Sequence, residues 1–275
     1  MPLSRFSSAF SLIKVPLASA RNHRHLLKEF VIRDVKGRFA GSMGGVLWTL
    51  INPAANIAIY IFLFSLVLRI QVTARETGTD SFVIFFLTGM FPWLIFSEGL
   101  SRSVSCLVDN ANLITKVVFP VELLPLSVVL SALVVNGIGM LLFLTCLLPA
   151  GCMHVSWLLL LILISAQVVF TWGLACMLAA VCVFLRDIRE LLGIALLVWF
   201  YATPIIYPFS MVPAQMRAFM TFNPMCTFVG LYRDALLVHQ IHWLSVVYIC
   251  IFSVVSYGIG AWFFMRAKPA FGDVL

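Results

Sequence analysis

Charge is what this sequence has least of. Between Leu123 and Leu185 there is no Asp, Glu, Lys or Arg, and between Leu191 and Met216 there is again none. Charged residues make up 11% of the 275 positions and hydrophobic ones 62%, whereas a soluble domain averages about 25% charged. Several uncharged runs exceed the roughly 20 residues needed to cross a bilayer core. No polar stretch is long enough to form a soluble domain. The chain therefore reads as an all-α integral membrane protein.

Other absences exclude chemistry. The pattern GxxxxGK followed by Ser or Thr, which cradles nucleotide phosphates, is missing. The glycine-rich GSMGG at 41–45 has neither the Lys nor the hydroxyl residue after it. Seven cysteines (106, 146, 152, 176, 182, 226 and 250) make no CxxC pair and mostly sit in apolar runs. They read as small hydrophobes, not as a disulfide framework or a metal site. His239 and His242 form an HxxH pair at a helix entry, which reads as a boundary feature and not a metal site. An integral membrane transferase would need acidic or His residues clustered at one water-facing boundary, and no such set is evident. The net charge of +7 makes no continuous basic patch, because eight of the eighteen Lys and Arg precede Val46. There they suit an anionic membrane face, and nucleic acid is not an expected partner. Residues Met1 to Ala20 carry Arg5 and Lys14 without a long apolar core, unlike a cleaved signal peptide.

The hydropathy pattern predicts six crossing helices: Val46–Leu68, Phe82–Arg102, Val121–Leu148, Val155–Leu185, Leu191–Tyr207 and Trp243–Met265. The fourth would be about 46 Å long at 1.5 Å per residue, so it tilts or projects past the lipid. With the N-terminus inside, fourteen Lys and Arg fall in inner segments and four in outer ones. That bias places both termini in the cytoplasm. The chain divides into an N-terminal segment 1–45, a transmembrane domain 46–265 and a tail 266–275.

Within that frame four places stand out. "FLRDIRE", 184–190, puts Arg186, Asp187, Arg189 and Glu190 between two uncharged runs. Each charge costs about 2.5–3.5 kcal/mol at a helix centre, so this stretch lies at a water boundary, inside by the Lys/Arg count. A plain turn needs only Gly, Asn or Ser; four charges point to a docking surface. Upstream, "NHRHLLKEFVIRDVKGRFAGSMGG", 22–45, spaces Leu26, Leu27, Phe30, Val31, Val35 and Phe39 at a helical period among basic residues. It predicts an amphipathic interface helix ended by Gly41, Gly44 and Gly45. A short capped helix is expected in the inner segment 108–120, where Asp109 or Asn110 precedes an apolar turn and Pro120 closes it. The outer segment 208–242 is too apolar for a solvated loop and predicts short re-entrant helices against protein or a cavity.

Intramembrane ionisable groups are nearly absent, which leaves ion-coupled transport without machinery. The exception is Glu98, with Arg102 at i+4. They read as an interfacial ion pair or, facing a cavity, as a gating pair. Aromatics are plentiful, and their faces stack on sugar rings without a charged partner. Trp48, Phe91, Trp93, Phe96, Tyr201 and Tyr207 are candidates for a channel wall beside the ordinary interfacial belt.

The stretches "FVIRDVKGRFAGSMGGVLWTLINP", "LTGMFPWLIFSEGLSRS", "NLITKVVFPVELLP", "FLRDIRE", "NPMCTFVGLYRDALL" and "KPAFGDVL" follow one another in the order of a known family. From about residue 25 onward the chain resembles the permease subunits of bacterial ABC exporters of cell-surface polysaccharide. O-antigen exporter permeases are the nearest likeness, and teichoic acid and capsule permeases are relatives. Phe39 stands where Tyr is common in that family, which removes a hydroxyl. The resemblance implies a homodimer of six-helix subunits in the bacterial inner membrane, bound to two ABC ATPase subunits that hold ATP and Mg. This chain then carries no cofactor or catalytic site of its own. It implies ATPase coupling through Asp109, Asn110, Asn112, Leu113 and Ile114 and through Arg186, Asp187, Arg189 and Glu190, with outer gate helices in 208–233. The substrate implied is a glycan linked to undecaprenyl diphosphate, whose diphosphate Arg33, Lys36 and Arg38 would meet at the inner face, beside lipid headgroups. Teichoic acid or capsule export, an integral membrane transferase and a small-molecule exporter remain the alternatives.

Overall fold

The computed structural model describes residues 3–39, 41–70, 72–116, 119–148 and 154–275. Cys152 and residues 117–118 of the expected inner helix lie outside that set. Helices make up the architecture, with no strand among the described residues. α1 (Leu3–Asn22) and α2 (Arg24–Gly37) precede the first long apolar helix, α3 (Trp48–Ile61), which continues through a π-helical turn at Phe62–Val67. Then come α4 (Ala74–Thr77), α5 (Phe82–Ser103), the small helices α6 (Cys106–Asp109) and α7 (Ala111–Lys116), and α8 (Leu123–Leu147). α9 (Leu159–Phe184) is entered through a 3-10 turn and followed by α10 (Ile188–Tyr201). α11 (Ala214–Thr221), α12 (Pro224–Arg233), α13 (Trp243–Ala267) and α14 (Phe271–Val274) complete the chain.

Five helical stretches are long and apolar enough to cross a membrane: Trp48–Val67, Phe82–Ser103, Leu123–Leu147, Val155–Phe184 and Trp243–Val274. Each falls on an expected span. The remaining expected span, Leu191–Tyr207, is not among the five, and its helix has other bounds. Helix α10 begins earlier, at Ile188, and stops at Tyr201 after 14 residues. At 1.5 Å per residue it is about 21 Å long, short of the roughly 30 Å hydrocarbon core. Pro204 explains the stop: it has no N–H to donate back along the helix and it disfavours helical backbone at Thr203. The sequence reading also passed over α1, whose mixed composition carries no hydropathy signal.

Helix α5 is the axis of the bundle. Phe85, Phe86, Leu87, Ile95, Phe96 and Leu100 are all buried on it, packed against α3, α8, α9, α10 and α12. The tightest pairing is α9 with α13. An added Cβ at Gly173 would stand 2.5 Å from the Ser256 carbonyl, and one at Gly260 would overlap the Gly173 backbone. Small residues let the two backbones touch, the usual route to helix association in lipid. α3, by contrast, is almost bare, with 6% of its apolar window covered. At the end of the bundle that carries α2, the chain's two tails are fastened together. Ser19 Oγ donates to Glu122 Oε1 at 2.5 Å and Lys268 Nζ to Glu122 Oε2 at 2.7 Å, while Phe271 is buried against Phe264.

Candidate functional site

The helical period of α2 sets Asp34 and Arg38 one turn apart, and that of α5 does the same for Glu98 and Arg102. The expected Glu98–Arg102 ion pair does not form. Glu98 pairs with Arg38, and Arg102 grips Asp34 with both terminal nitrogens, at 2.8 and 2.7 Å. A neighbour on the same helix offers one contact at best, whereas the crossing lets a guanidinium fork meet a carboxylate bidentately. α8 completes the cluster. Ser131 Oγ accepts from Arg38 Nη2 at 3.1 Å and donates to Asp34, and Asn136 Nδ2 donates to Glu98 Oε2 at 2.6 Å. Three helices thus meet on four alternating charges. Burial alone would raise the Asp34 carboxyl. The hydrogen bonds from Arg102 and Ser131, with the charges of Arg102 and Arg38, outweigh it and hold Asp34 below the ordinary carboxylate range.

Beside this cluster lies a cavity of about 360 Å³ whose lining includes Phe30, Arg33, Asp34, Arg38, Arg102 and Asn110. Of the three basic residues named for a diphosphate contact, Arg33 and Arg38 reach it and Lys36 does not. Arg38 is already engaged by Glu98 and Ser131, while Arg33 is exposed with its guanidinium 4.8 Å from the Phe30 ring. Lys36 stands on the open surface of α2. Arg102, assigned in sequence to an intrahelical pair, lines the cavity instead.

At the same end the two expected coupling segments meet. Arg189 Nη2 lies 3.6 Å from Asp109 Oδ1, both side chains being about half exposed. Ser105 Oγ donates to the other Asp109 oxygen at 2.6 Å, and Asn110 Nδ2 donates to the Cys106 carbonyl at 2.8 Å, which together shape the α6–α7 corner. Asn112, Arg186, Asp187 and Glu190 are exposed around this pair, and Leu113 and Ile114 are half-buried beneath it. An exposed pair of this kind contributes about 0–1 kcal/mol. Its interest is positional: it marks a charged platform that joins α6 to the start of α10.

The opposite end holds a residue that sequence reasoning counted only as an outer charge. Arg233, at the end of α12, is 8% exposed. Its Nη1 donates to the Pro204 carbonyl at 2.6 Å and its Nη2 to the Ile205 carbonyl at 2.9 Å, and the guanidinium lies 3.6 Å from the centre of the Phe85 ring. Burial pushes Arg233 down to about 9. Space for it comes from Gly89, where a Cβ would stand 2.9 Å from Nη2. Arg233 therefore satisfies the Pro204 and Ile205 carbonyls just past the end of α10, and it pins α12 to that break. The signal was present as one charge inside an apolar ten-residue helix. The two histidines of the HxxH pair take different partners: His242 Nδ1 meets Asp234 at 2.9 Å, and the His239 ring lies 4.7 Å from that of His154.

The aromatic candidates divide. Trp93 and Phe96 are core residues of this chain, Phe96 stacked on Phe170 at 5.5 Å and Trp93 against Phe200 at 5.5 Å, and neither presents an open face. The cause is the central position of α5, which turns nearly every side inward. Phe91 is also buried, but it lines a small cavity beside Trp48. Tyr201 is exposed, and Tyr207 is half-buried with its hydroxyl donating to the Tyr201 carbonyl at 2.7 Å.

A bundle of membrane-length helices, bare along α3 and ending in a charged platform, has the architecture of a multi-pass membrane protein. The chain belongs to the ABC-2 type transporter family, which it matches over residues 25–237. It is 33% identical over 226 residues to an O-antigen export system permease protein of Myxococcus xanthus, a match covering 80% of this chain and 83% of that one. To an O-antigen export system permease protein of Klebsiella pneumoniae it is 29% identical over 256 residues, covering 91% and 95%. To the polysialic acid transport protein of Escherichia coli it is 25% identical over 232 residues, covering 83% and 88%.

Proposed function

We propose that this chain is the membrane-spanning subunit of an ATP-driven exporter of lipid-linked polysaccharide of the O-antigen type. It acts as a homodimer, with two ATPase subunits seated on the end that carries α2, α6 and the α9–α10 loop. That end is the cytoplasmic one by the Lys/Arg bias, and the membrane is the bacterial inner membrane. The observation that carries the reading is the convergence of Asp109 and Arg189, because it puts both expected coupling segments on one exposed platform. Nucleotide closure of the partner pushes there, and the push passes into α5, α9 and α10. The charge cluster carries α2 along as part of the same rigid body. α10 and the turns at 202–207 together make the sixth crossing, and α11 and α12 serve as the outer gate, held by Arg233. The diphosphate of the carrier lipid meets Arg33 and Lys36 on the exposed side of α2, while Arg38 stays engaged by Glu98 and Ser131.

The test is a charge exchange. D109R and R189D singly are expected to lower surface polysaccharide and the amount of ATPase that copurifies, and the double variant to recover both. Single variants with normal export and normal copurification would overturn the platform. A capsule-type glycan is the second reading, favoured by the Escherichia coli relative.

A further inference from the structure

Helix α3 places amides where lipid-facing helices place aliphatic side chains. Asn52 and Asn56 are one turn apart, with Trp48 one turn before and Tyr60 one turn after, so the four run as a stripe along one side of the helix. All four line a cavity of about 160 Å³ between α3, α5 and α8, and Asn136 of α8 lines it from across the gap. Gly139 brings the helices together here: a Cβ on it would stand 2.9 Å from the Pro53 ring. Both α3 asparagines are exposed. An amide left unsatisfied in hydrocarbon costs about 2–7 kcal/mol, so this stripe is not a lipid face. Nor does the cavity enclose a ligand, since pockets that do so take about 300–1,000 Å³. An open stripe of this kind suits one wall of a wider passage.

The chemistry of that wall is specific. A primary amide both donates and accepts hydrogen bonds, which matches sugar hydroxyls that do the same. The rings of Trp48 and Tyr60 offer flat apolar faces at either end of the amides. Nδ2 of Asn136 is already used, donating to Glu98 Oε2 at 2.6 Å and to the Ala132 carbonyl at 3.0 Å, so its carbonyl is the group it turns to a ligand. The wall carries no formal charge of its own, and each contact is weak and replaceable by water. We infer that Asn52, Asn56 and Asn136 form a hydroxyl-binding track for the passing glycan, with Trp48 and Tyr60 as stacking ends. This rests on the polysaccharide-permease reading and adds to it the groups that touch the sugar.

The experiment uses cells that lack the permease and carry either the wild-type chain or variants of it. Return of surface polysaccharide with the wild-type chain is the control for the permease reading; its failure would sink that reading and the track with it. With the control in place, the N52L/N56L double variant is expected to lower surface polysaccharide about tenfold, from the lost hydrogen bonds. Its membrane level and copurifying ATPase stay normal, and N52Q/N56Q restores most of the export. The single Leu variants, normalised to membrane level, carry the same comparison if the double accumulates poorly. Undiminished export in the Leu variants overturns the track. So does a loss shared by the Leu and Gln variants and accompanied by a change of oligomeric state in native mass spectrometry, because the amides would then serve contact between copies.

Discussion

Asp34 is held by two arginines and a serine from three different helices' worth of neighbours, and its removal is the sharpest single-residue test of the cluster. D34N is expected to cost about 2 kcal/mol, the value of hydrogen bonds to a charged group. It should appear as faster hydrogen exchange in α2 with the long spans unchanged. The pH dependence has a definite sign. The carboxyl of Asp34 sits lower in the folded protein than in the unfolded chain, so its stabilisation is complete above the ordinary carboxylate range. It is lost as pH falls from about 4 through the lower folded value. Glu122 behaves alike: burial opposes, but Lys268 and Ser19 prevail and hold it low. Acidification below about pH 4 should therefore release α2 and the two tails together, and D34N should remove the α2 part of that transition. Arg233 is a different case, because R233M strands the carbonyls of Pro204 and Ile205. A loss of about 3 kcal/mol is expected from the buried carbonyls left without donors, read as a lower midpoint for thermal aggregation. The sequence showed that Glu98 and Arg102 were unusual but not what they bind. Spacing along one helix proposes neighbours on that helix only, and the partners here come from residues 60 or more positions away.

Among elements, the long spans were legible because an apolar run of membrane length leaves the chain few alternatives. The same argument failed at α10, where hydropathy continued to Tyr207 but the backbone could not follow past Pro204. Hydropathy was equally blind to the closeness of α9 and α13, which is set by glycines too small to register on such a scale. G260A tests that contact directly. Its methyl group has nowhere to go, and α9 must move to admit it. Overpacking costs about 1–3 kcal/mol or more, and the variant is expected to reach the membrane at a fraction of the wild-type level, measured by quantitative blotting. G193A, where an added Cβ meets nothing, is the matched control and should accumulate normally.

For the whole molecule the telling fact is an imbalance: α5 is mostly buried while α3 is mostly bare, and α10 exposes Leu191, Ile194, Leu197 and Val198. A lipid face explains the aliphatic part of this surface but not the asparagines of α3. The proposed second copy, with a water-filled passage shared between the two, would account for both. Native mass spectrometry of the detergent-purified protein is expected to give twice the 30.7 kDa chain mass, and a monomer across the accessible concentration range would refute the homodimer. This level was least visible in sequence, since apolar residues that meet lipid and those that meet another copy have the same composition.

The cluster at the α2 end holds two acids and two bases, Asp34 and Glu98 against Arg38 and Arg102, so it is electrically neutral as a unit. A charge carried across the membrane field does work of about 2.3 kcal/mol per 100 mV, but a neutral quartet that moves as one body does none. Movement of the quartet should then add no voltage dependence of its own to transport, beyond what the charge of the moving substrate brings. Taking one charge away, as in R102Q, leaves the quartet with a net charge and should change the voltage sensitivity of transport relative to the wild-type chain at constant ATP.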